Sequence, residues 1–387
     1  MLNDEINTDK QQGQVENQSD KAEEDVRLVQ KAAEQGDAEA QFRLGWHYTS
    51  GTGVTQNHEK AATWYRKAAE QGIAEAQHNL GACYANGDGV PQDEFKAFEW
   101  YRKAAEQGHT PSQLSLGLHY QNGRRIVQDY EKAAFWYRKA AEQGEVLAQC
   151  MLGDCYASGR GVARDDTKAV AWYQKAAQQG ESWAQVSLGL HYQDGRGVPQ
   201  DDEKAATWYR KAAEQGEVLA QRILGDCYAN GRGVPQDDKQ AVEWYRKAAG
   251  QGHASSQASL GLHYQIGRGV PLDFEKAAHW YYKAAEQGDV KAQYNLGACY
   301  RNGEGVPPDE IKAVYWYRKA AEQRFSDAMY TLAECYETGF GVEQNMDIAI
   351  RWYRKAKNQG HVDAHDRLQT LLISLKKEPY VSYQPPA

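Results

Sequence analysis

One spacing, 36 residues, governs nearly the whole chain. A Leu-Gly pair recurs at this interval eight times and a Trp-Tyr pair nine times, with no insertion between successive copies. The leucines are Leu44, Leu80, Leu116, Leu152, Leu188, Leu224, Leu260 and Leu296, and the tryptophans are Trp64, Trp100, Trp136, Trp172, Trp208, Trp244, Trp280, Trp316 and Trp352. A fixed period of about 20–50 residues is typical of solenoids, in which each repeat packs against its neighbours. The period therefore predicts one repeat array, where length alone would suggest several globular domains.

Each repeat is predicted to contain two helices separated by glycine turns. In the copy that spans 37–72, Ala40, Leu44 and Tyr48 follow the three- and four-residue spacing of one helix face. Gly51 ends this helix, because glycine supports the backbone of a tight turn. The second helix begins after an aspartate N-cap in seven repeats, at Asp93, Asp129, Asp165, Asp201, Asp237, Asp273 and Asp309. It ends at Gly72, Gly108, Gly144, Gly180, Gly216, Gly252, Gly288 and Gly360. The fold class is therefore all-α.

The pattern also sets the boundaries of the array. Nine full repeats occupy 37–360, a lone second helix at 21–36 precedes them, and a lone first helix at 361–376 follows. Such half-repeats are typical caps of a solenoid. The segment 1–20 is rich in Gln, Asn and acidic residues and is predicted to be a disordered tail, and 377–387 is predicted to be an irregular tail.

The motif A-x-x-x-L-G-x-x-Y-x-x-G-x-G-V-x-x-D-x-x-K-A-x-x-W-Y-x-K-A-A-x-x-G resembles the Sel-1-like repeat, a relative of the tetratricopeptide repeat. The resemblance covers nearly the whole chain and implies a right-handed α-solenoid that serves as a scaffold for protein–protein contacts. Local departures occur at Arg125-Ile126, at Ala333-Glu334 and at Arg324, where a terminal glycine is expected.

The resemblance leaves two other functions open. Some bacterial relatives carry paired cysteines and are described as penicillin-binding or β-lactamase-like, which implies a hydrolase. Cys150 and Cys155, however, lie five residues apart on one predicted helix, a poor geometry for a disulfide. Other bacterial relatives are linked to host interaction, which implies an exported factor that binds a host protein.

One repeat position alternates between histidine and cysteine. It reads His47, Cys83, His119, Cys155, His191, Cys227, His263, Cys299 and Cys335. Metal ligands must converge to within about 4 Å of each other, whereas neighbouring repeats are separated by roughly 8–10 Å. We therefore interpret the row as buried packing residues and expect no metal site and no cofactor. The G-x-S-x-G, H-E-x-x-H and P-loop motifs are absent from the sequence, so no catalytic residue is assigned and the chain is not expected to be an enzyme.

The side of the first helices opposite the packed face carries unexpected apolar and aromatic residues. First helices line the inner curve in the resembling family, so these residues are predicted to bind a protein or peptide in a concave groove. They are Phe42, Trp46, Leu114, Leu118, Trp183, Val186, Leu190, Arg222, Leu262, Tyr294 and Tyr330. Contact between adjacent repeats, or self-association, is the competing explanation.

A second candidate surface is a line of turn arginines. They occupy one position in five consecutive repeats, at Arg124, Arg160, Arg196, Arg232 and Arg268. They are either solvated turn residues or an edge that binds anions or an acidic partner.

Charge and hydropathy restrict the classes of partner and the cellular location that the sequence predicts. Lys+Arg 45 against Asp+Glu 53 gives a net charge of −8, which argues against general nucleic-acid binding. No apolar run approaches the roughly 18 residues of a membrane span, and no Sec-type signal precedes the array. A cytoplasmic location is therefore predicted, with export by another route left open.

Overall fold

All regular structure in the described part of the chain is helical, which confirms the predicted all-α class. The computed structural model describes residues 21, 23–123 and 126–377. Its helices are α1 (23–34), α2 (Ala38–Ser50), α3 (His58–Glu70), α4 (Ala74–Asn86), α5 (Glu94–Glu106), α6 (Thr110–Asn122), α7 (Tyr130–Glu142), α8 (Val146–Ser158), α9 (Asp166–Gln178), α10 (Ser182–Asp194), α11 (Asp202–Glu214), α12 (Val218–Asn230), α13 (Asp238–Gly250), α14 (Ala254–Ile266), α15 (Phe274–Glu286), α16 (Val290–Asn302), α17 (Glu310–Glu322), α18 (Ser326–Thr338), α19 (Met346–Asn358) and α20 (Ala364–Lys377). Even-numbered helices from α2 to α18 are the first helices of the nine repeats. Of the two predicted caps, α20 begins three residues later than expected.

The chain divides into two compact units, and the boundary falls between Gln200 and Asp201. The first unit contains α1–α10 and the second contains α11–α20. Within each unit, consecutive helices pack against each other along the chain, as expected for an α-solenoid.

The helix ends follow the sequence signals closely. The seven predicted aspartate N-caps each accept a hydrogen bond from a backbone N–H two or three residues further on. At Asp93 these bonds, with Lys96 nearby, lower the pKa of the carboxyl below its usual value. The first helices end at glycines in the left-handed region, such as Gly159 with φ 73°. The turns are thus determined locally, by residues that satisfy the free backbone groups of the helix ends.

The Leu-Gly pair marks the place where the two helices of a repeat touch. The leucines are fully buried, and in seven of the eight pairs the glycine lies against the tyrosine of the following Trp-Tyr pair. A Cβ added at Gly153 would lie 2.7 Å from Cε1 of Tyr173, which is closer than carbon atoms approach in proteins. Glycine at this step therefore allows the buried tyrosine ring to pack directly on the helix backbone.

A buried glutamine network joins neighbouring repeats, and the sequence analysis did not anticipate it. Gln149, 4% exposed, donates from Nε2 to the Ala141 carbonyl at 3.3 Å and accepts from Nε2 of Gln179 at 2.9 Å. The same two bonds recur in most of the other repeats. The sequence does contain this pattern. One glutamine recurs at a fixed position on the first helices, and another recurs at the end of the second helices. Buried amides must be hydrogen-bonded, so each of these glutamines links the two helices of its own repeat and also the end of the preceding repeat.

Arg324 is the one described non-glycine residue with positive φ, at 67°. Its equivalents are glycines such as Gly288, where an added Cβ would meet nothing within 4 Å. Glycine is therefore favoured here by backbone conformation and not by space. Arg324→Gly is expected to raise the free energy of unfolding by about 0.5–1 kcal/mol, because it removes the left-handed strain. Urea denaturation checks this, and a lower midpoint would show that the arginine side chain stabilises this turn.

Candidate protein-binding surface

Four of the predicted partner-binding residues are large apolar side chains that remain exposed. Trp46, Leu118 and Trp183, on α2, α6 and α10 of the first unit, are 49%, 37% and 46% exposed. Leu262, on α14 of the second unit, is 44% exposed. We call the side of the first helices that carries these four residues the first-helix face. Apolar side chains this exposed are available to an external partner.

Val186 differs from this group, because it is only 1% exposed. The prediction that it contacts a partner is therefore wrong: a residue without accessible surface cannot bind one. Leu114 and Leu190 are half-buried and retain part of their surface. The sequence pattern placed all three on the same side of their helices, but it could not give the depth of each residue.

The aromatic residues predicted for this surface also pack inside the chain. Phe42 lies 6.0 Å from the ring of Tyr65, and Tyr294 lies 5.6 Å from that of Tyr317. Tyr330 contacts the ring of Tyr353 at 5.3 Å. Each therefore covers the buried tyrosine of its own repeat, and its remaining half-exposed surface is what a partner can reach.

A cleft of about 690 Å³ opens between α16 and α18 in the second unit. Tyr294 and Tyr330 line it, with Arg301, Glu334 and His361. The Tyr330 and His361 rings stack at 4.2 Å with an interplanar angle of 5°. Burial raises the pKa of the Glu334 carboxyl. The cleft combines aromatic walls with groups of both charges, which suits a polypeptide side chain better than an apolar small molecule.

The predicted surface residue Arg222 has a partner within its own helix. Its guanidinium lies 2.6 Å from the Asp226 carboxylate, which also accepts a hydrogen bond from the Tyr245 hydroxyl at 2.7 Å. In the fourth repeat, the equivalent Asp154 accepts from the Tyr173 hydroxyl, and burial raises the pKa of its carboxyl. These polar groups are organised mainly by the buried tyrosines.

The turn arginines are partly engaged in contacts within the chain. Arg268 lies 2.9 Å from the Asp238 carboxylate, and Arg196 lies 3.0 Å from that of Asp194. Arg160 lies over the Tyr130 ring at 5.9 Å. Arg232 is exposed, and Arg124 lies outside the described residues. The two carboxylate pairings lower the charge available to an anionic ligand, so a continuous anion-binding edge has less support than the first-helix face.

The alternating His/Cys row lies mostly in the core, as the packing interpretation predicted. His47, His191 and His263 each donate from Nδ1 to a turn carbonyl, at 2.8–2.9 Å. The cysteines of the row are buried, and burial raises the pKa of Cys83 to about 11 and of Cys299 to about 12. Such thiols stay protonated near neutral pH and are poor nucleophiles and ligands.

The residues in the described ranges also bear on metal binding and membrane insertion. Among those residues, no group of three or more His, Cys, Asp or Glu side chains is arranged to hold a metal ion. None of their helices combines the length and the apolar character needed to cross a bilayer.

Paired helices in a 36-residue register, with an exposed apolar row on the first helices, define an α-solenoid repeat protein. The Sel1 repeat profile matches ten segments: 26–37, 38–73, 74–109, 110–145, 146–181, 184–217, 218–253, 254–289, 290–325 and 326–361. The chain belongs to the Sel1 repeat family.

Two solved structures resemble the chain over most of its length. A Sel1 repeat protein from Oxalobacter formigenes is 38% identical, with a TM-score of 0.64, over 80% of this chain and 90% of that one. A protective antigen from uropathogenic Escherichia coli strains, which displays an SLR fold, is 35% identical, with a TM-score of 0.58, over 90% of both chains. Curated proteins offer no match to the chain.

Proposed function

We propose that this protein is a non-catalytic scaffold or adaptor that binds a protein or peptide partner on its first-helix face. The observation that carries the proposal is the exposure of Trp46, Leu118, Trp183 and Leu262 on helices whose other sides are packed. Tetratricopeptide-like repeats of this kind typically serve as protein-interaction scaffolds, which agrees with that surface.

Physical chemistry favours a polypeptide partner for this face. Tryptophan is enriched among the residues that dominate binding energy, because it buries a large apolar area with few rotatable bonds. The neighbouring positions supply half-exposed tyrosines in the second unit, which present both an apolar ring and a hydroxyl. An interface that combines such anchors with scattered polar groups resembles those of ordinary protein complexes.

Affinity capture tests the proposal. The intact protein is used to recover partners from a lysate of cells that express it naturally, and mass spectrometry identifies them. A recovered protein supports the proposal only if removing apolar side chains from the first-helix face abolishes its recovery while removal of the turn arginines preserves it. Equal recovery with both sets of variants would contradict it.

A second candidate, an exported factor that contacts a host, draws on one comparison. The relative from uropathogenic Escherichia coli is described as a protective antigen, and it is 35% identical to this chain. Antibodies applied to intact cells, and to their culture medium, would detect an exported protein. Signal confined to broken cells would contradict this candidate without affecting the proposed binding face.

A further inference from the structure

The seventh repeat, residues 253–288, differs from the others at two surface positions. Ile266 ends its first helix, where every other repeat has Ser, Asn, Asp or Thr. Leu272 lies in the following turn, where six of the other eight repeats have Gln. Both side chains are exposed, by 53% and 56%. The repeats are otherwise similar in sequence. The replacement of two exposed polar residues by apolar ones, at neighbouring positions of a single repeat, therefore indicates a role that the other repeats lack.

The glutamine that Leu272 replaces has a structural role elsewhere. Gln236 donates from Nε2 to the Ala229 carbonyl at 3.1 Å, and Gln344 donates to the Glu337 carbonyl at 2.8 Å. A leucine cannot make this bond, so the seventh repeat lacks the hydrogen bond that joins the turn side chain to the end of the first helix. Because Leu272 is also exposed, the core gains little in return. The departure therefore does not serve folding.

These residues lie along the end of α14 and the turn that follows it, beside a cleft. Leu262 and Ile266 lie one helical turn apart on α14, so they share a side of the helix. Leu272 packs next to Gly267, which directly follows Ile266. Beyond it, a cleft of about 570 Å³ is lined by Leu272 and three further apolar residues. We call this surface the apolar seam, formed by Leu262, Ile266, Leu272, Phe274, Val306 and Pro307.

Acidic side chains flank the apolar seam. Glu275 lines the cleft and is exposed. Glu304 accepts hydrogen bonds from two neutral amides, Asn302 and Gln265, which leave its charge uncompensated.

The basic residues nearby are already paired with other acids. The Arg268 guanidinium lies 2.9 Å from the Asp238 carboxylate, and the Lys276 ammonium lies 2.8 Å from the Asp273 carboxylate. The apolar seam is therefore surrounded by a net negative charge.

We propose that the apolar seam of the seventh repeat docks a polypeptide segment whose apolar side chains are flanked by lysine or arginine. Apolar side chains fill the cleft, and the basic residues face the flanking glutamates, which speeds and orients encounter. A second copy of this chain is disfavoured as occupant, because two such seams would bring like charges together. The inference rests on the proposed function, since Leu262 belongs to both surfaces, and it assigns a chemistry to the partner.

Selection from a random peptide library displayed on phage tests the proposal, with the full-length protein as bait. The key variant, Ile266→Asn with Leu272→Gln, uses residues that the chain's own repeats carry at these positions, so it is expected to fold. The control, Tyr315→Thr, removes an exposed aromatic from a second helix, where Thr63 and Thr207 are the equivalents. Enriched peptides are then synthesised, and their affinities are measured by fluorescence anisotropy.

Enriched peptides are expected to combine apolar residues with lysine or arginine. The Ile266→Asn/Leu272→Gln variant should bind them at least tenfold more weakly, while Tyr315→Thr should stay within twofold of wild type. Binding should also weaken as salt rises from about 50 to 300 mM, because the flanking charges are solvent-exposed.

Four results would count against the inference. Enrichment of acidic or purely apolar peptides would contradict the proposed chemistry of the partner. Undiminished binding by the Ile266→Asn/Leu272→Gln variant would contradict the apolar seam as the binding site. If peptides bind the seam variant normally but are lost with Leu118→Ala/Trp183→Ala, only this inference fails and the proposed function stands. Failure to enrich any peptide would count against both this inference and the proposed function.

Discussion

Gly305→Ala should destabilise the protein by about 2–5 kcal/mol. Gly305 is the second glycine of its Gly-x-Gly turn, has φ 72°, and lies against the first residues of α15 in the preceding repeat. A Cβ added there would overlap the backbone carbonyl of Phe274, which cannot rotate away as a side chain can. The expected loss combines about 1–2 kcal/mol for a left-handed alanine with about 1–3 kcal/mol for separating the packed backbones.

Gly288→Ala provides the matched control. Gly288 also has positive φ, 92°, but nothing lies within 4 Å of an added Cβ. Its loss should stay near 1 kcal/mol, because only the backbone conformation is penalised. Urea denaturation of both variants, followed by far-UV circular dichroism, measures the difference. If the two variants lose equal stability, the second glycine serves only the turn and does not hold repeats together.

Leu118→Ala combined with Trp183→Ala should weaken partner binding at least thirtyfold. Both residues are exposed on first helices of the first unit, and alanine occurs naturally at the Leu118 position in two other repeats. Truncating central interface anchors typically costs about 2 kcal/mol or more each, which corresponds to about thirtyfold in affinity. Far-UV circular dichroism and thermal melting should remain close to wild type, because these side chains contribute little to the core.

Arg160→Ala combined with Arg232→Ala is the comparison variant. These two turn arginines are exposed, so their removal directly tests whether the line of turn arginines binds the partner. Each should cost about 1 kcal/mol or less, and the loss should shrink as salt rises. Isothermal titration calorimetry with the captured partner distinguishes the surfaces. Loss of binding with the arginine pair, but not with the apolar pair, would place the partner on the turn edge.

The fold followed from the sequence because its determinants are local and repeated. Aspartate caps, glycine turns and the 3.6-residue spacing of apolar residues each fix a helix end or a helix face without long-range information. Because these residues recur in nine repeats, the assignment of helices and turns did not depend on any single repeat.

The interactions between repeats were less predictable. The Gly-x-Gly motif predicted a tight turn, but the contact of its second glycine with the preceding repeat depends on how repeats stack. Buried Gln149 was missed because glutamine is usually an exposed residue, and only three-dimensional proximity reveals its two partners, Ala141 of the preceding repeat and Gln179 of its own.

Helical periodicity predicted which candidate residues share one side of a first helix, but not how deeply each of them is buried. Helical periodicity placed Val186 and Trp183 on one side of α10, yet Val186 is buried and Trp183 is exposed. Angular position on a helix does not determine how closely the neighbouring elements cover it. Repeat-by-repeat comparison of exposed positions, as at Ile266 and Leu272, is the more informative signal.

Hydroxyl-radical footprinting of the protein with and without its captured partner tests the central claim most directly, because it reports the solvent accessibility of individual side chains. Leu118 and Trp183 on the first-helix face should lose reactivity in the complex. Phe135 and Tyr315, which are similarly exposed but lie on second helices, should react unchanged. Protection of Phe135 and Tyr315, with Leu118 and Trp183 still reactive, would contradict the account.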